Sequence, residues 1–190
     1  NKLRQRRNKN TSFLFFIMEI KDKIRAIPDF PKPGIMFRDV TTLLKDAHGL
    51  RNVIEMFRER YANEGIDYVA GIEARGFIIG GAVAKELGVG FIPIRKKGKL
   101  PAKVIQEEYK LEYGTDTIEI HEDSIAKGDK ILLIDDLLAT AGTMKAAINL
   151  IEKAGGTVIS TACIVELVSL KGREKIKDHD FFCLVQYEDD

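Results

Sequence analysis

Residues 130–156 read KILLIDDLLATAGTMKAAINLIEKAGG, a buried strand, a polar loop and an amphipathic helix in direct succession. Lys130–Ile134 is a continuous apolar run of the kind that lines both faces of a central parallel strand. The run ends in two carboxylates, Asp135 and Asp136, followed by small and hydroxyl residues. A helix is predicted over 142–154, with Ala147, Leu150, Ile151 and Ala154 on one face and Gly155-Gly156 as its stop. In open α/β sheets ligands bind outside the carboxyl ends of the strands, where this loop lies. Its small residues let a ligand approach the backbone. The unpaired N–H groups at the helix start attract a phosphate. Thr140 and Thr143 add hydroxyl donors, and the two aspartates are placed to accept hydrogen bonds from sugar hydroxyls. Neither GxxxxGK[ST] nor GxGxxG is present, which disfavours a P-loop and a dinucleotide fold.

The same alternation runs outward in both directions. Leu50, Val53, Ile54, Phe57 and Tyr61 share one face of a helix predicted over 47–62. Strands are predicted at 67–72 and 90–94, with a helix over 76–87 between them. On the carboxyl side, strands are predicted at 157–167 and 181–187. Such order implies βαβ units with right-handed crossovers, an α/β fold with a central, mostly parallel sheet flanked by helices. Residues 19–27 read as a short helix stopped by Pro28, and the proline-rich segment after it as irregular. Residues 95–108 are polar, basic and without period, and read as a mobile loop. Residues 109–113 and 115–120 read as a hairpin turning at Gly114. The segment 169–174 reads as a helix start with a structural role.

The chain has 190 residues, 45% hydrophobic and 31% charged, the composition of one soluble globular domain rather than a fibrous, disordered or disulfide-rich chain. No stretch approaches the roughly 18 apolar residues of a membrane span. The 30 basic and 29 acidic residues give a net charge of +1, which supplies no global field for nucleic acid. Residues 1–17 hold five of the basic residues and no acidic one. They read as a leader or extra translated segment without fixed structure, ahead of a single domain over 18–190. A basic, acid-poor transit segment is the other reading. Cys163 and Cys183 sit in apolar runs as buried thiols, which suits a reducing, cytoplasmic setting. His48, His121 and His179 lack ligand spacing, so no protein metal site is expected.

IDDLLATAGT (134–143) resembles the phosphoribosyl-pyrophosphate (PRPP) motif of the type I phosphoribosyltransferases. PDFPKPGIMFRD (28–39), GIEARGF (71–77), IRKKGKLP (94–101), LEYG (111–114) and VELVSLKGRE (165–174) extend that resemblance to the branch acting on adenine. It implies the type I phosphoribosyltransferase fold with a small N-terminal hood. The implied reaction is purine salvage: adenine and PRPP, carrying Mg²⁺, give AMP and pyrophosphate. The resemblance assigns Asp135 and Asp136 to the ribose hydroxyls, and Ala139, Thr140, Ala141, Gly142 and Thr143 to the 5′-phosphate. Ala141 departs from the family pattern, which has glycine there; a left-handed backbone at that residue would cost about 1 kcal/mol. Arg75, Arg95 and Lys99 are assigned to pyrophosphate, and Glu112 to general acid or base work on the base. Phe37 and Leu167 would stack on adenine, with the backbone of Met36 and Arg38 reading its edge. A homodimer is implied, without nucleic acid or membrane as partner. Two other readings differ in function: a PRPP-sensing regulator of the same fold, and an enzyme for a 6-oxopurine.

Overall fold

The computed structural model describes residues 16–110 and 114–188. Residues 1–15, most of the segment read as a leader, residues 111–113 with the candidate Glu112, and residues 189–190 therefore lie outside the described residues. The chain packs as two compact units that divide between Met56 and Phe57.

The first unit contains helix α1 (16–22), strands β1 (Arg25–Pro28) and β2 (Met36–Asp39), helix α2 (Thr41–Lys45) and the start of α3 (Ala47–Tyr61). β1 and β2 pair antiparallel, with Arg25 opposite Asp39 and Pro28 opposite Met36. The Arg25 guanidinium donates to Asp39 Oδ2 through Nε and Nη2. Burial pushes the Asp39 carboxyl up, but the bonds from Arg25 and Thr41 outweigh it and hold it at about 2. This corrects the sequence reading: the first helix stops at residue 22, and both 25–28 and the end of the proline segment are extended. Each strand exists through its partner, which no local period announces.

The second unit is built on an eight-stranded sheet. Its strands are β3 (Tyr68–Ile72), β4 (Gly90–Lys96), β5 (Val104–Lys110), β6 (Thr115–His121), β7 (Lys130–Ile134), β8 (Leu137–Leu138), β9 (Thr157–Leu167) and β10 (Phe181–Tyr187). The order is β10-β9-β7-β3-β4-β6-β5, with the short β8 also on β9. The five strands from β10 to β4 run parallel; β6 and β5 are antiparallel additions. Helix α4 (Arg75–Leu87) links β3 to β4, and α5 (Gly142–Lys153) follows β8 and leads to β9. Ile131 and Leu133 of β7, and Ala147, Leu150 and Ile151 of α5, are fully buried in one apolar cluster. Each such isoleucine or leucine contributes roughly 1.5–3 kcal/mol by leaving water.

Two sequence expectations change here. Residues 95–108 are mostly strand: β4 runs to Lys96 and β5 begins at Val104, leaving a turn over 97–103. β5 is the sheet's edge, where charged residues are tolerated and hide the strand period. Its Ile105 and Tyr109 nevertheless pack on the core, and Glu107 between them receives Asn149 Nδ2 of α5. The segment after β9 forms two 3-10 turns, Val168–Leu170 and Gly172–Ile176, rather than an α-helix.

The chain direction reverses between β3 and β7. From β3 the chain crosses to β4 on one side; from β7 it crosses to β9 on the other. Gly71 is paired with Ile134, so the turns leaving these two strands open side by side. Such a switch point is where an open α/β sheet leaves a crevice.

Candidate active site

A cleft of about 480 Å³ lies at that switch point, lined among others by Glu73, Arg75, Lys96, Tyr109, Asp135 and Thr143. Its size is that of a site for a small ligand. Every lining residue belongs to the second unit.

The β7 side supplies two adjacent carboxylates with different partners. Asp136 is buried and accepts Arg75 Nε at 2.5 Å. Asp135 Oδ1 instead accepts the backbone N–H of Asp136 at 2.8 Å. Burial and then the negative charge of Asp136 push the Asp135 carboxyl well above the ordinary range, against the pull of Arg75. The loop then crosses β8 and enters α5 through Ala141, at φ 60° and ψ 14°. The left-handed conformation that the sequence makes costly for alanine is therefore adopted. Ala141 provides no side-chain cap, and no acidic residue occupies the first turn of α5. Thr143 lines the cleft. Behind the loop, Gly172 makes a close approach: a Cβ there would lie 2.1 Å from the Ala139 carbonyl oxygen.

The β3 side is a shorter turn. The Glu73–Ala74 peptide is cis, and α4 starts at once with Ala74 as an uncapped N-cap. Glu73 accepts Arg95 Nε at 2.8 Å on one oxygen and Lys99 Nζ at 2.9 Å on the other. Burial pushes its carboxyl up, but the two cations prevail and hold it below the usual glutamate range. Across the cleft Lys96 Nζ meets Asp116 Oδ2 at 3.1 Å, and the Tyr109 hydroxyl reaches the same oxygen at 3.4 Å.

Of the residues singled out from the sequence, Asp135, Asp136, Arg75 and Thr143 line the cleft. Ala139, Thr140 and Ala141 lie on the loop between its carboxylates and α5, and Gly142 opens that helix. Arg95 and Lys99 reach it through Glu73. Leu167 ends β9, half-buried. Met36, Phe37 and Arg38 lie on β2 in the first unit, where the Phe37 ring meets Phe30 edge-on at 5.1 Å. The polar lining residues whose side chains were given no role from the sequence are Glu73, Lys96, Tyr109 and Asp116; Ile72, Ala74 and Ile118 complete the wall. Lys96 stood in the basic run. Tyr109 and Asp116 face each other across the β5–β6 ladder, a pairing with no signature in either strand alone.

The phosphoribosyl transferase domain model matches residues 39–189. An adenine phosphoribosyltransferase of Methylobacillus flagellatus is 58% identical over 174 residues, covering 90% of this chain and 99% of that protein. The crystal structure of the adenine phosphoribosyltransferase of Thermoanaerobacter pseudethanolicus superposes with a TM-score of 0.87 at 47% identity, covering 90% of this chain and 99% of that one. The enzyme of Giardia lamblia, complexed with 9-deazaadenine, gives 0.86 at 40% identity, covering 90% and 98%.

Proposed function

The chain belongs to the adenine phosphoribosyltransferases, within the phosphoribosyl transferase domain family, and on that premise we propose how its residues divide the reaction. It is a purine salvage transferase that converts adenine and PRPP into AMP and pyrophosphate. The observation that carries the division is the meeting of two strand–turn–helix units at one cleft, one rich in side-chain cations, the other in open backbone N–H groups.

PRPP would carry Mg²⁺ on its own oxygens, and the cation would supply charge neutralisation at the leaving diphosphate. Among the described residues no group of three or more His, Cys, Asp or Glu is gathered around a metal position. Asp135 and Asp136 accept hydrogen bonds from the ribose 2′- and 3′-hydroxyls. Ala139, Thr140, Ala141, Gly142 and Thr143 enclose the 5′-phosphate, with the first N–H groups of α5 and the Thr143 hydroxyl as donors. Arg75, Arg95 and Lys99 take the diphosphate. Two of these already hold the Glu73 carboxylate, an arrangement that the diphosphate replaces by competition.

Adenine N9 bonds to ribose C1 as the bond from C1 to the diphosphate oxygen breaks. Positive charge builds on the ribose between these events. Glu112 acts as general acid or base on the imidazole ring, so that the N–H proton adenine brings is given up as N9 bonds to C1, and Met36, Phe37, Arg38 and Leu167 hold the base, roles that rest on their match to the family segments. Glu112→Gln is expected to lower kcat about 100-fold while AMP binding is retained. A variant with full kcat would return Glu112 to a structural role. The enzyme works as a homodimer in the cytoplasm. No helix among the described residues is long and apolar enough to cross a membrane.

The test is a chromatographic turnover assay with Mg²⁺, PRPP and equal amounts of adenine, hypoxanthine, guanine and xanthine. AMP as the dominant product is expected. A different nucleotide would overturn the base assignment, and PRPP binding without product would turn the reading to a sensor.

A further inference from the structure

Glu119 lies within β6, 1% exposed, opposite Arg95 on one neighbouring strand and Gln106 on the other. Its Oε1 accepts three successive backbone N–H groups, those of Gly98, Lys99 and Leu100, at 3.0, 3.1 and 3.2 Å. Its Oε2 accepts Gln106 Nε2 at 3.1 Å. Consecutive N–H groups that converge on one point form an anion nest, and here the chain fills the nest with its own carboxylate. Burying a carboxylate is costly unless its lone pairs are satisfied, and these are.

Closing the turn does not require this arrangement. Gly98 already supplies the left-handed residue, at φ 82°, and the Lys97 N–H already reaches the Thr117 carbonyl at 3.1 Å. What Glu119 adds is a fixed backbone at Lys99. From that backbone Lys99 Nζ reaches Glu73 in the cleft wall at 2.9 Å, and the Lys99 carbonyl receives Arg95 Nη1 at 3.3 Å. A lysine is otherwise an expensive side chain to immobilise.

We propose that Glu119 is a positioning residue, a buried clamp that sets the Gly98–Leu100 backbone so that Lys99 and Arg95 are presented together to the diphosphate. The inference rests on the pyrophosphate role proposed above for these two cations. Glu119 itself touches no substrate. Its carboxylate acts by removing the freedom of the turn before the anion arrives, so the anion does not have to order it.

The test is a double-mutant cycle on the full chain with Glu119→Gln, Lys99→Ala and the pair. Glutamine keeps the shape but loses the charge and sets an amide against Gln106. The KM for PRPP and the Kd for pyrophosphate by calorimetry are expected to rise about tenfold in Glu119→Gln, the loss of charge-assisted hydrogen bonds. The KM for adenine should stay within about twofold. The double variant should lose clearly less than the sum of the two single losses, because Glu119 acts in part through Lys99 and only its effect on Arg95 survives the removal of that side chain. Equal losses for adenine and PRPP, or full additivity of the two variants, would reduce Glu119 to a structural residue and overturn the proposal. So would a Lys99→Ala enzyme with unchanged pyrophosphate affinity, which removes the cation that the clamp serves. Should Glu119→Gln fail to fold, Glu119→Asp keeps the charge and shortens the reach; wild-type pyrophosphate affinity in that variant would equally overturn the clamp. Calorimetry with pyrophosphate needs no turnover, so a failure to make AMP from adenine would count against the reaction and not against the clamp.

Discussion

Helices α4 and α5 follow the adjacent parallel strands β3 and β7, α5 by way of β8, and both begin on an alanine without a side-chain cap or an acidic first turn. Serine, threonine or aspartate at those positions would be worth about 1 kcal/mol each. Both helices therefore start without a capping side chain on their first N–H groups. Beyond that they differ. The α4 turn is short and right-handed at Ala74, φ −106°, and works through side chains: Glu73 with Arg95 and Lys99, and Arg75 with Asp136. The α5 loop is longer, left-handed at Ala141, and has no basic residue between Asp135 and Thr143. Its donors are backbone groups and hydroxyls. In the proposed reaction the 5′-phosphate stays on the product while the diphosphate must leave. A rigid backbone cradle suits the first; side-chain cations that exchange one carboxylate partner for another suit the second.

The largest effect that would break this contrast is expected at Gly172. Alanine there would drive a methyl group against the Ala139 carbonyl, and backbone cannot yield as a side-chain tip does. An overpacking cost of about 3 kcal/mol in unfolding stability is expected, and, with the Ala139 loop displaced, a fall in kcat/KM for PRPP on the order of 100-fold. Gly81→Ala in α4, where a Cβ meets nothing within 4 Å, is the control. A Gly172→Ala enzyme with normal PRPP kinetics would show that the cradle does not depend on its rigid backing.

Next comes Asp136→Asn, which replaces a hydroxyl acceptor and strips Arg75 of its charged partner. A rise of about tenfold in the PRPP KM is expected with the adenine KM unmoved; equal PRPP kinetics would remove Asp136 from the ribose.

Asp135→Asn should separate stability from binding. The folded carboxyl is raised above its unfolded value by burial and by Asp136, so its contribution to stability is intact below about pH 4 and is lost as pH rises toward the folded value. Asparagine removes that loss. Thermal melts should gain roughly 2–4 °C at pH 8, equivalent to about 1 kcal/mol, with the gain vanishing near pH 4 and the PRPP KM worsened. A melting temperature unchanged at pH 8 would refute the charge argument.

The smallest effect is Ala141→Gly, which relieves a left-handed alanine and should add about 1 kcal/mol or less in denaturant unfolding. A destabilised variant would show that the methyl group, buried in the apolar cluster, is worth more than the strain costs.

Much of this site was legible along the chain because its chemistry is local. Lys130–Ile134, Asp135-Asp136 and the small-residue loop are contiguous, and the bounds of β7, β9 and β10 agree with the apolar runs that announced them. The β1–β2 pair and the edge strand β5 escaped because a strand is stabilised by its neighbour across the ladder and not by its own period. Glu73, Asp116 and Tyr109 escaped for the same reason, their partners being 22–26, 20 and 7 residues distant in sequence respectively.

What the amino-acid sequence by itself determined is the α/β class, the order of strand and helix and the ligand end of β7, since periodicity and contiguous motifs need no knowledge of packing; the family and its base came from the resemblance of those motifs to known enzymes. Only the tertiary structure decided that β3 and β7 are neighbours with the reversal between them, that Glu73 gathers Arg95 and Lys99, that Glu119 fills the nest of the Gly98–Leu100 turn, and that Gly172 lies against Ala139. Those are contacts between segments far apart in the chain, and they are chosen by the joint burial of apolar faces and the need to satisfy every buried polar group, neither of which is written in any one segment.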